Sequence, residues 1–202
     1  MSAELHAFLR SRRSVRRFKP EPVPEPVLRR VLETATHAPS AHNDQPWRFA
    51  LLTGAAPKSA LAGAMGSDFR RDLERDGLTT DEIATRLERS RRRIEEAPVV
   101  VILCMDMAGM DHYPDEARRQ AEHDMALQST ALAGLQLLLA AHAEGLGGVW
   151  TCGPLFVPET TRSTLDLPAG WEPQAMLLLG YPAETAREKQ LRPLDEVARF
   201  LP

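Results

Sequence analysis

The chain has 202 residues, 43% of them hydrophobic and 26% charged, with 25 Lys and Arg against 28 Asp and Glu for a net charge of -3. That length suits a single domain, residues 1–202, and the balance excludes the disordered and fibrous classes. A weakly acidic chain with only 5% aromatic residues also argues against a nucleic-acid surface, which needs cations spread along a face or rings on which bases stack.

Residues 2–11 alternate charged and apolar positions as a short helix, without the apolar core or small-residue cleavage site of a signal peptide. No run approaches the roughly 18 charge-free apolar residues of a membrane span, so a cytoplasmic protein that does not cross a membrane is expected. "RRSVRRFKPEPVP" (12–24) follows, with four arginines, one lysine and one serine. Such a run is either a solvated helix end or an anion site. Arg12, Ser14 and Arg16 can offer charge-assisted hydrogen bonds to a phosphate, which carries about -1.5 to -2 charges at neutral pH.

"PEPVLRRVLETATHA" places Val27, Val31, Leu32 and Ala35 at helical spacing, and "WRFALLT" (47–53) reads as a strand closed by Gly54. From Pro57 to Glu96 the pattern is polar and helical. Thr79 or Thr80 is the cap, Ile83, Leu87 and Ile94 share one side, and Arg86, Arg89 and Arg91 to Arg93 fall late in the helix. Those arginines either form a solvated face or meet a phosphorylated or carboxylated substrate. This loop-rich, polar stretch and "DMAGMDHYPDE" (106–116) are the expected specificity region.

"PVVVILC" (98–104) is a continuous apolar run, the mark of a strand covered on both faces. The longest helical signal comes next, with Met125, Leu132, Leu135 and Leu139 in step and Gly145 at its end. Its second half is apolar nearly all round, as in a helix buried in a large core or between two subunits, while Gln128, Ser129 and Gln136 oppose a membrane reading. "GGVWTC" (147–152) and "QAMLLLGYP" (174–182) add two strands, with a short helix between them. About four buried strands with five or six helices make an α+β or α/β sandwich.

The glycines of "EGLGGVWTCG" follow a helix and open a strand, the reverse of a dinucleotide fingerprint, and Walker, HExxH and G-x-S-x-G patterns are missing. Histidines 37, 42, 112 and 123 show no ligand spacing with a carboxylate, so no metal site is expected. Cys104 and Cys152 read as a buried pair of thiols. Late in the chain, Lys189 and Arg192 flank an irregular segment before Pro193.

"RRSVRRF" (12–18), "APSAHNDQPWRF" (38–49), "GLGGVWTCG" (145–153) and "KQLRPLDEV" (189–197), in this order, resemble the nitroreductase family of FMN-dependent oxidoreductases over essentially the whole chain. "FRRDLERDGLTTDEIATRLERSRRRIEEAP" and "LDLPAGWEPQAMLLLGYP" look most like the C-terminal nitroreductase-like domain of the coenzyme F-420 gamma-glutamyl ligase. The resemblance implies a three-layer α+β sandwich with a mainly antiparallel sheet, dimerising through its long central helix, with FMN at the subunit boundary. It implies that Arg12, Arg13, Ser14 and Arg16 hold the ribityl phosphate and flavin edge, closed by Lys189 and Arg192. Pro39, Ser40, Ala41 and Asn43 would come from the second subunit, and Cys152 and Gly153 would place backbone N–H groups near flavin N5. Leu191 stands where many members carry a phosphate-binding arginine.

The implied activity passes hydride from NADH or NADPH through FMN to a nitro compound, quinone, enone or dehydro-deazaflavin precursor of coenzyme F-420. The alternative is a non-catalytic flavin or F-420 binding and storage protein.

Overall fold

The computed structural model describes residues 1–185 and 189–201. In chain order its elements are α1 (Ser2–Ser11), α2 (Glu25–Ala35), β1 (Trp47–Leu52), α3 (Ala55–Arg75), α4 (Thr80–Glu95), β2 (Val99–Asp106), α5 (Glu116–Ala143), β3 (Gly147–Thr151), α6 (Gly153–Phe156), α7 (Pro158–Thr164), β4 (Trp171–Gly180) and α8 (Leu194–Val197). The four strands run β1-β2-β4-β3, every pair antiparallel.

Alternation along the two central strands builds two cores. Val99, Val101 and Leu103 of β2, with Leu177 and Leu179 of β4, pack among residues of α2 and α5. Val100, Ile102 and Cys104, with Met176 and Leu178, face the other way, onto Leu61 and Ala62 of α3 and Ile94 of α4. Both faces of β2 are therefore covered, as its unbroken apolar run requires, and the result is a three-layer α+β sandwich. Each fully buried leucine or isoleucine contributes about 1.5–3 kcal/mol relative to exposure.

Helix α5 meets the sheet along a seam of small residues rather than along the leucine stripe. Ala126, Ser129, Thr130, Ala133 and Gly134 are buried, whereas Leu132 and Leu135 remain 43% and 48% exposed. A Cβ on Gly134 would lie 2.3 Å from Trp150 Cζ3, so the missing side chain is what lets the helix come so close. One 18-residue window of α5 is apolar enough to cross a membrane, but half of it is buried inside the fold, which makes α5 a core helix. The helix stops at Gly145 (φ 75°), with Gly145 N–H donating to His142 O and Leu146 N–H to Ala141 O, the paired bonds of a glycine-terminated helix.

The stretch 57–96 is helical, as its pattern predicts. It is not loop-rich: α3 and α4 form a packed hairpin turning at Gly77 (φ 79°). Thr79, not Thr80, caps α4, its hydroxyl accepting from Glu82 N–H while the Glu82 carboxylate accepts from Thr79 N–H. Lys58 is buried under this hairpin and donates to Ala97 O at 2.7 Å.

Candidate active site

Beyond α1 the chain straightens and lies against β3. Ser14 bridges Gly148 in parallel, Val15 N–H donates to Gly148 O at 3.1 Å, and Phe18 bridges Pro182. Val15 points into the core, where a Cβ on Gly147 would come within 2.8 Å of its own Cβ. The paired glycines that open β3 thus make room for this segment. The basic run is divided along its length between two clefts. Arg12 and Arg13 line a cleft of about 250 Å³ beside His142. Ser14 and Arg16 line a larger one of about 1190 Å³, walled on its far side by α4. The single cluster expected at 12–16 is therefore two half-sites sharing one backbone.

Arg13 donates to Arg10 O at 2.6 Å. The guanidinium groups of Arg12 and Arg16 form no ion pair among the described residues, although Arg16 N–H donates to Glu184 Oε1 at 3.3 Å. His142 stacks on Phe8 with ring centroids 5.0 Å apart, and its Nε2 is 2.7 Å from Ser11 Oγ. Burial, then the positive charge of Arg12, holds the imidazole pKa below its ordinary value, which favours the neutral form beside that cation.

The turn at Pro39, Ser40, Ala41 and Asn43 is docked on α5: Ala41 N–H donates to Ser129 Oγ at 3.2 Å, and Ser40 Oγ accepts from Gln45 N–H at 3.2 Å. His42, Asn43 and Gln45 all take positive φ, a cost of roughly 1–2 kcal/mol per residue that the docked turn must offset. At the far end of β3, Cys152 is exposed and accepts from Trp150 Nε1 at 3.2 Å, so the two thiols are not a buried pair. Only Cys104 is buried, and burial pushes its pKa up to about 12. Gly153 abuts α3, where a Cβ would come within 2.9 Å of Met65 Cε.

Lys189 and Arg192 are exposed, line neither cleft and form no ion pair among the described residues. Neither do Pro39 to Asn43, nor Cys152 and Gly153, line either cleft.

One grouping escaped the sequence. Donor atoms of His42, Asp111 and Glu122 lie within 4.8 Å of one another, and Glu122 is buried with Oε2 lacking a partner among the described residues. Nothing in the local spacing of these residues signals the grouping, which the α5 docking of the 39–43 turn creates.

Residues 9–181 match the model of the nitroreductase family. The chain is 33% identical to an NADH dehydrogenase of Thermus thermophilus over 92% of its length and 90% of that protein. It is 32% identical to a 5,6-dimethylbenzimidazole synthase of Rhodospirillum rubrum over 97% and 87%. A candidate nitroreductase of Desulfovibrio desulfuricans, solved with FMN, superposes with a TM-score of 0.74 at 26% identity, covering 98% of this chain and 96% of that one.

Proposed function

The chain belongs to the nitroreductase family, and from that premise we propose that it is an FMN-dependent NAD(P)H oxidoreductase acting on a nitro compound, quinone, enone or dehydro-deazaflavin. The observation that carries this reading is the extended segment 12–16 held on β3, presenting Arg12 and Arg16 without carboxylate partners among the described residues. Unpaired guanidinium groups beside the Ser14 hydroxyl suit the phosphate and the electron-rich edge of a flavin.

When bound, FMN supplies the hydride chemistry at N5. The chain's part is to hold and to polarise. Arg12, Arg13, Ser14 and Arg16 would bind the ribityl phosphate and the pyrimidine edge. Cys152 and Gly153 would offer backbone N–H groups from the end of β3. Pro39, Ser40, Ala41 and Asn43 would reach the site from a second copy, and Lys189 and Arg192 would close over the phosphate. The exposed Leu132 and Leu135 of α5 support a homodimer built on that helix, as does the apolar tail with Leu194, Val197 and Phe200 exposed. Two free cysteines favour a cytoplasmic, reducing setting.

The test is anaerobic. Full-length protein is loaded with FMN, the excess is removed, and the flavin absorbance is followed as NADH or NADPH is added. Bleaching on addition of donor and its reversal by a nitro or quinone acceptor are the expected results. Protein that takes up no FMN overturns the reading, and protein that binds FMN without being reduced is a binder instead.

A further inference from the structure

The wall of the larger cleft formed by α4 carries more positive charge than its own carboxylates can meet. Thr85, Arg89, Arg92, Arg93 and Glu96 stand on one helical face, at steps of four, three, one and three residues, across from Ser14, Arg16 and Arg17. Three carboxylates also line the space, and each is already engaged. Glu96 receives Arg92 at 2.7 Å, Glu184 receives Arg17 at 3.8 Å, and Glu88 receives Arg91 at 2.9 Å. Arg16, Arg89 and Arg93 are left without a carboxylate partner among the described residues. They come from two elements more than seventy residues apart and face one concavity.

We propose that Arg89 and Arg93, opposite Arg16, bind a phosphate ester carried by the second substrate. An ordinary solvated arginine helix pairs its cations with acids one turn away, as Arg91 and Arg92 do here. Arg89 and Arg93 break that pattern on the side that faces the cleft. A single carboxylate is planar and is satisfied by one guanidinium fork. A tetrahedral phosphate dianion accepts from several directions, and the α4 wall offers two forks with the Thr85 hydroxyl on the same face, across the gap from the Ser14 and Arg16 given to the flavin. At about 1190 Å³ the cleft has room for a ligand of nucleotide size, ligand sites commonly being about 300–1,000 Å³. That the ligand is a substrate rests on the reductase reading; the anion site itself does not.

The phosphate has two possible sources, the 2′-phosphate of NADPH and a phosphorylated acceptor. The test compares full-length protein with an Arg89→Ala, Arg93→Ala double variant whose melting temperature is checked first. Calorimetric titration with pyrophosphate at low salt, with FMN present and absent, is expected to show binding that the variant weakens by roughly tenfold or more. Binding should also fall steeply as salt is added. In turnover, a KM raised for NADPH but not for NADH, with kcat kept, assigns the donor as the source. A KM raised for 4-nitrophenyl phosphate but not for 4-nitrotoluene assigns the acceptor.

Equal pyrophosphate affinity in the two proteins overturns the proposal. So does a loss of FMN affinity in the variant, read by quenching of flavin fluorescence, because the arginines would then belong to the flavin phosphate. If the unaltered protein takes up no FMN, the reductase reading falls, and the pyrophosphate titration alone decides the anion site.

Discussion

A methyl group on Gly134 would sit 2.3 Å from Trp150 Cζ3 and 2.7 Å from Leu103 Cδ2. Two effects of Gly134→Ala oppose one another. Helix propensity favours alanine by about 1 kcal/mol, while overpacking a filled core costs about 1–3 kcal/mol. Leu103 is fully buried and cannot step aside, so overpacking should win and the variant should lose up to about 2 kcal/mol. A lower urea midpoint at unchanged slope is the expected reading. Lys58 makes a different argument at the same scale. Burial holds its ammonium pKa below the ordinary 10.5, with Glu95 only partly opposing. The unfolded chain therefore binds this proton more tightly than the folded one. Stability contributed by Lys58 rises with pH from its depressed folded pKa up to 10.5 and is lowest where the ammonium is charged in both states. The difference in unfolding free energy between the unaltered protein and Lys58→Met cancels the other titrating groups, and it should climb across that alkaline window. A flat difference would mean that the ammonium pays no desolvation cost in its bond to Ala97 O.

At the scale of the element, the start of α4 turns on one hydroxyl. Thr79 supplies the capping box with Glu82, so Thr79→Ala should cost about 1 kcal/mol, while Thr80→Ala, inside the first turn, should cost a small fraction of that. Chemical denaturation of the two variants separates them, and equal losses would refute the assignment. The pair also shows what sequence can and cannot decide. Two adjacent threonines before "DEI" mark a helix start, but only backbone geometry says which one lies outside the helix. β2 was legible because a strand covered on both faces leaves no polar position to break its run. α5 was legible as an element, and its two readings, core helix or subunit boundary, fall on different faces: Ala126, Ala133 and Gly134 approach the sheet, while Leu132 and Leu135 stay exposed. The basic run at 12–16 stood out in the sequence as either a solvated helix end or an anion site. Its division between two clefts did not, because that depends on an extended conformation imposed by pairing with Gly148, far away in the chain. For the same reason the grouping of His42 with Asp111 and Glu122 left no trace in local spacing.

Across the whole molecule, large apolar side chains are left exposed on two elements. Leu132 and Leu135 project from α5, and Leu191, Leu194, Val197, Phe200 and Leu201 are all more than half exposed along the C-terminal segment. Lys189 and Arg192 sit at the start of that same segment and line neither cleft. If the tail and α5 bury these side chains against a second copy, cofactor binding and dimerisation are one equilibrium, because the proposed flavin site draws groups from both chains. Leu132→Glu with Leu135→Glu places two charges in that seam without touching the core that α5 forms on its other side. The double variant should sediment as a folded monomer, with helix content kept. It should also lose FMN affinity although every residue proposed to touch the flavin is unchanged. The unaltered protein should gain about 2.7 kcal/mol of stability at a hundredfold excess of FMN over its dissociation constant, seen as a rise in melting temperature that the variant lacks. Its FMN affinity should also fall on dilution below the dimer dissociation constant. A variant that sediments as a monomer and still binds FMN with unaltered affinity would place the whole flavin site within one chain, and the residues of the 39–43 turn would then have no part in it.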